Sequence, residues 1–280
     1  VRPGDAIAIC AHSSPRYAAV FLGALRAGVA VAPLAPSVTA EQFVSMLRDS
    51  QARLLFADAA AQALLQGVGT RTIALDTSID GAALDTWLAP IGSRPAPVAL
   101  QPSWPFNIIY SSGTTGTPKG IVQSHGMRWT HVMRGATYGY GPQTVTLLST
   151  PLYSNTTLVV FLPSLAYGGT VHLMAKFDAA AYLALAEKQR VTHTMLVPVQ
   201  YQRLLAERRT LDTTDALAVA RFNQHAADYH AARSKMRAAR DAPPWSLSRV
   251  RPGGCHVPSG HPRGGSKRGP IVIASASASG

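Results

Sequence analysis

Through its first two hundred residues the chain alternates short apolar runs of strand length with segments whose apolar residues recur at helical spacing, and this alternation constrains the fold most. "DAIAICA", from Asp5, reads as a strand. "SSPRYAAVFLGALRAG" follows with a serine cap, Pro15 in the first turn and Gly28 as a stop, the punctuation of a helix. "VAVAPL" reads as the next strand, and "TAEQFVSMLRDS" opens with the capping-box spacing of Thr39 and Gln42. "RLLFAD", an alanine-rich helix near residues 59–66 and "RTIALD" continue the series. A Pro-rich stretch between Ala89 and Pro105 reads as an extended linker. The alternation resumes with "FNIIYSS", "KGIVQSH", a helix from Gly126 to about Ala136, "VTLLST", a helix through "TTLVVFLPSLAYGG", "TVHLMA", "DAAAYLALAEKQR", "VTHTMLVP" and a helix near Pro198. Strand and helix in strict turn predict an α/β fold with mainly parallel sheets flanked by helices.

Beyond about Arg209 the pattern fades, and the charge balance changes with it. Up to Ala206 there are 14 Lys and Arg against 9 Asp and Glu; from Glu207 onward there are 12 against 5, and from Ala242 to Gly280 no acidic residue. Residues 207–280 are therefore read as a basic, largely disordered tail that does not continue the domain of residues 1–206. The net charge of +12 raises the question of nucleic acid, but the tail has no aromatic interleaving and no binding motif, so no nucleic-acid partner is expected. Cys10 and Cys255 form neither a disulfide framework nor a zinc-ligand spacing, and no metal ligand is assigned. No apolar run is long enough to span a bilayer, and the first residues lack signal-peptide order, so the expectation is a cytoplasmic protein without a transmembrane segment. The start at Val1 is read as that of a fragment.

The stretch "YSSGTTGTPKG", Tyr110 to Gly120, breaks the regular pattern. Glycine costs backbone entropy and hydroxyl side chains compete with regular structure, so the run is a loop between two strands. Three readings apply. It is a flexible hairpin turn, a P-loop, or a phosphate-cradling loop of another kind. The P-loop register fails, because Lys119 follows Pro118 and Gly120 stands where the metal-binding Ser or Thr belongs. Backbone amides at glycines, threonine hydroxyls and one ammonium suit a pyrophosphate, and no nearby acidic residue is expected to oppose it.

"YSSGTTGTPKG" resembles the phosphate-binding signature of the adenylate-forming superfamily, which includes acyl-CoA synthetases, coumarate-CoA ligases, luciferases and nonribosomal peptide adenylation domains. The resemblance spans roughly Val1 to Ala206 and implies an incomplete amino-terminal domain of that fold. It implies activation of a small-molecule carboxylate by ATP and magnesium to an acyl-adenylate, then transfer to coenzyme A. The alternative is an inactive nucleotide- or phosphate-binding remnant. By resemblance, Ser111, Ser112, Gly113, Thr114, Thr115 and Gly116 wrap the β- and γ-phosphates, a threonine hydroxyl also lies near magnesium, and Lys119 neutralises charge; Lys119 and Thr115 are the candidate catalytic residues. In "PLYSNTT", Tyr153, Ser154 and Asn155 are candidate substrate-binding residues. Ser154 stands where coumarate ligases carry a histidine, which counts against aromatic acids. His125 matches a histidine common at the end of the motif's second strand and is read as structural rather than catalytic; His193 in "VTHTMLVP" is read as core packing, with a place beside the substrate pocket as the alternative. The family's "YGxTE" motif, ribose-binding aspartate and carboxy-terminal lysine have no counterpart here, and a reading-frame shift near Glu207 to Asp215 would account for their absence.

Overall fold

The structure is a computed structural model and describes residues 1–111, 118–208 and 272–274. In chain order the elements are β1 (Ala6–Cys10), α1 (Pro15–Arg26), β2 (Ala30–Pro33), α2 (Ala40–Asp49), β3 (Ala52–Ala57), β4 (Thr72–Ala74), β5 (Ala82–Ala83) and α3 (Leu84–Trp87). After the linker come β6 (Pro105–Ser111), β7 (Lys119–Ser124), α4 (His125–Met133), β8 (Val145–Leu148), α5 (Asn155–Ala166), β9 (Thr170–Leu173), α6 (Ala179–Lys188), β10 (His193–Met195), α7 (Pro198–Arg208) and β11 (Val272–Ala274).

The helix boundaries follow side-chain chemistry. Ser14 accepts the Tyr17 backbone N–H at 3.1 Å and Pro15 occupies the first turn, where its missing N–H costs nothing. Thr39 and Gln42 form both bonds of the capping box, each at 3.2 Å. Asp178 caps α6 through the Ala181 N–H at 2.8 Å. Gly168, at φ +79°, ends α5 in a conformation that a residue with a Cβ rarely adopts.

The strands form two sheets. One has the order β5-β4-β3-β1-β2-β6-β7, the other β11-β10-β8-β9. Every pairing is parallel except β6 with β7, which run antiparallel. All five residues of β1 are buried, as a central parallel strand covered on both faces requires. Its alternate residues serve two cores: Ile7 and Ile9 pack with Phe21, Phe56 and Phe161, while Ala8 and Cys10 pack with Phe43, Met46 and Leu55. Burial pushes the Cys10 thiol up to about 12, with Asp58 adding to the effect, so it behaves as a small apolar group. The first core continues through α5 into the second sheet at Leu148 and Met195.

Three details depart from expectation. The alanine-rich segment is a 3₁₀ helix over Ala59–Leu64, held by the Asp58 carboxylate on the Ala60 N–H at 2.9 Å and an Ala61 N–H to Asp58 carbonyl bond at 3.0 Å. The two-residue β5 and one-turn α3 are too short to show a period. Within the tail expected to lack regular structure, Val272–Ala274 pair in parallel with β10, as the β-branched run "IVI" favours. Residues 209–271 and 275–280 lie outside the described residues. Among the described residues no helix is long and apolar enough to cross a membrane.

Candidate functional site

The hydroxyl-rich loop is carried by the one antiparallel pair in the first sheet. β6 runs parallel to β2 from inside the sheet, and β7 folds back along it at the edge, with Tyr110 opposite Gly120 and Ser111 opposite Lys119. The carboxyl end of β6 thus delivers the loop to the edge where the parallel strands end, the usual ligand side of open α/β sheets. Ser111 and Lys119 are both exposed. Among the described residues the Lys119 ammonium has no ion-pair partner. Ser112, Gly113, Thr114, Thr115 and Gly116 lie outside the described residues.

The base of this hairpin is held by a group the sequence did not put there. The Asp49 carboxylate, at the end of α2, accepts the Tyr110 hydroxyl at 2.6 Å, and the same hydroxyl lies 3.1 Å from the Met46 carbonyl. A Cβ on Gly120 would meet Asp49 Oδ2 at 2.8 Å, so glycine allows this close approach. Burial, then the Asp49 hydrogen bond, pushes the Tyr110 phenol well above its ordinary range and keeps it a donor. The expectation that no acidic residue stands near the loop is corrected: Asp49 is 61 residues from Tyr110 in sequence but bonded to it.

Tyr153, Ser154 and Asn155 come together at the amino terminus of α5, all half-buried. Their turn is fixed against the β1–α1 loop by the Leu152 N–H donating to Ser13 Oγ at 2.9 Å. Ser154 occupies the cap position without a side-chain cap bond. Asn155 Oδ1 accepts from Arg128 Nη2 at 2.6 Å, and Arg128 Nε donates to Asn107 Oδ1 at 3.1 Å. Arg128 is 1% exposed, the largest fully buried side chain among the described residues. Its guanidinium lies 5.8 Å from the Phe106 ring centroid, and burial lowers its pKa to about 10. Neither Arg128 nor Asn107 was singled out from sequence. The available signals were a polar residue inside the apolar strand "FNIIY" and a cation amid the apolar spacing of "MRWTHVM".

Other expectations sort clearly. His193 is buried, with Nδ1 at 2.8 Å from Thr192 Oγ1, Nε2 at 3.0 Å from the Tyr138 carbonyl and its ring 4.3 Å from that of Tyr140, a packed core residue. His125 begins α4, edge-on to Phe106 at 5.1 Å, with Nε2 buried and unpartnered and its pKa lowered by burial. A cleft of about 620 Å³ between α1, α4 and α5 is bordered by Leu25, Phe106, His125, Arg128, Trp129 and Leu162; Tyr153, Ser154 and Asn155 do not border it. Among the described residues no cluster of His, Cys, Asp and Glu could hold a metal ion.

Residues 1–258 match the family described as AMP-binding enzyme, a match that runs past residue 206. Feruloyl-CoA synthase from Amycolatopsis sp is 31% identical over 217 residues, 75% of this chain and 42% of the relative. Tyrocidine synthase 3 from Brevibacillus parabrevis is 33% identical over 223 residues, 76% of this chain and 3% of the relative. O-succinylbenzoate coenzyme A synthetase from Bacillus subtilis, solved in complex with AMP, superposes with a TM-score of 0.65 at 24% identity, covering 74% of this chain and 52% of that one. The chain thus spans less than half the length of these curated relatives and about half that of the solved one.

Proposed function

Because the chain belongs to the family of AMP-binding enzymes, the adenylate-forming ligases, we propose that it serves ATP-dependent activation of a carboxylic acid to an acyl-adenylate, with coenzyme A as the acyl acceptor. Carboxylate attack on the α-phosphate brings two anions together, so the protein's task is to neutralise and position charge rather than to supply a nucleophile. Ser111, the loop residues Ser112 to Gly116 and Lys119 are assigned to the β- and γ-phosphates. The Lys119 ammonium acts as a point charge that offsets the triphosphate, and Thr115 supplies a hydroxyl within the same loop. A threonine hydroxyl of the loop would help to hold magnesium, which would supply further charge neutralisation. Tyr153, Ser154 and Asn155 are assigned to the acid. The observation that carries the reading is the register of the hairpin, which sets Ser111 beside a Lys119 that has no ion-pair partner among the described residues, at the carboxyl edge of a mainly parallel sheet.

The test is calorimetric titration of the chain with ATP and with pyrophosphate in the presence of magnesium. Replacing Lys119 with Met keeps most of the stem and removes the charge, so affinity should fall by about ten- to a hundredfold while thermal stability holds. Equal affinity in both proteins would leave Lys119 as a solvated strand-end residue and remove the assignment. Release of pyrophosphate on adding an acid separates a turning-over ligase from a domain that binds nucleotide without reaction.

A further inference from the structure

Arg128 carries a full positive charge into the interior, and among the described residues nothing negative meets it. Its Nε and Nη2 donate to the neutral oxygens of Asn107 and Asn155, while Nη1 is buried and has no partner among the described residues. Among the described residues no carboxylate lies within ion-pair distance of it. Arg134, further along the chain, adds positive potential: burial first, then Arg128 and Arg134, lowers the His131 pKa. The amino terminus of α5, reached through Asn155, presents its first backbone N–H groups without a side-chain cap. Pinning β6 to α5 requires hydrogen-bond donors but no charge, since both acceptors are neutral. Burying a guanidinium unpaired is costly, and the cost is offset when an anion binds there.

We propose that Arg128 makes the site selective for an organic acid with a second carboxylate, a dicarboxylic acid whose distal group pairs with the guanidinium at the amino terminus of α5. The inference rests on the assignment of Tyr153, Ser154 and Asn155 to the acid. The near carboxylate is the one activated, and the distal one is held by a fork that suits a planar carboxylate. Because Nη1 is closed off from water in the ligand-free chain, entry of the distal group requires local side-chain movement.

The experiment titrates the full chain, with magnesium and ATP present, with α,ω-dicarboxylates of three to eight carbons and with monocarboxylates of equal carbon count. At least one dicarboxylate should bind about tenfold or more tightly than its matched monocarboxylate. Arg128→Met should abolish that preference while leaving ATP affinity unchanged, and Arg128→Lys, which keeps charge without the fork, should reduce it in part. Absence of preference in the wild-type chain, with ATP binding intact, overturns the inference and leaves the proposed function standing. A preference that persists unchanged in Arg128→Gln, which keeps amide donors without the charge, overturns it even if Arg128→Met fails to fold. Failure to bind both ATP and any acid removes the inference together with the function it rests on. A dicarboxylate preference without ATP binding keeps the Arg128 assignment and removes the nucleotide reading.

Discussion

A methyl group on Gly169 would meet the Thr144 and Ser164 carbonyl oxygens at 2.9 Å each and Thr144 Cβ at 2.8 Å. The glycine therefore marks a place where β9's approach and the end of α5 touch backbone to backbone, and two of the three colliding atoms belong to main chain that cannot swing away. Gly169→Ala should cost about 1–3 kcal/mol, read as a lower unfolding midpoint in urea with an unchanged slope. From sequence the Gly168–Gly169 pair is legible as a helix stop, but only the first glycine performs that role by conformation. The second is required by contacts with Thr144, twenty-five residues away along the chain. The same holds for Tyr110: its position before the loop is legible, whereas its bond to Asp49 depends on where α2 lies.

Helix α2 shows how an element's local code reaches the site. Its start is written in Thr39 and Gln42, and its buried face in Phe43, Met46 and Leu47. Its last turn supplies the Met46 carbonyl and the Asp49 carboxylate that hold Tyr110. Thr39→Ala removes the cap and should destabilise the chain by about 1 kcal/mol in chemical denaturation. Hydrogen exchange should show the increase at the first turn of α2, with the Tyr110 end of the hairpin protected as before, because the cap and the Asp49 turn lie at opposite ends. Faster exchange in β7 would mean that the helix docks as a rigid lever. The linker before β6 is another element whose role is tertiary. Its Pro-rich sequence reads as extended chain, yet the Trp104 and Pro102 carbonyls accept the His125 and Gly126 N–H groups at 3.0 and 2.8 Å and so close the amino terminus of α4.

Across the whole molecule, pH should act first through the two histidines of α4. His125 Nε2 and His131 Nδ1 are buried and without a hydrogen-bond partner among the described residues, and both rings have pKa values lowered from their ordinary 6.5, His125 by burial and His131 by burial and then by Arg128 and Arg134. The unfolded chain therefore takes up these protons before the folded one does. Stability should be fully present above the ordinary histidine value and decline as pH falls below it, toward the lowered folded-state values. Thermal unfolding across that range should show the decline, and His125→Gln with His131→Gln should flatten it. An equal decline in the double variant would assign it to other groups. The alternation of strand and helix, the caps and the hairpin that bears the loop were all determined by the sequence itself, because each is encoded by neighbours a few residues apart. The division into two sheets, the order β5-β4-β3-β1-β2-β6-β7, the carboxylate under the loop and the unpaired Arg128 were decided only by tertiary structure. Periodicity reports which face of an element is apolar; which distant side chain meets that face depends on packing that no local pattern contains.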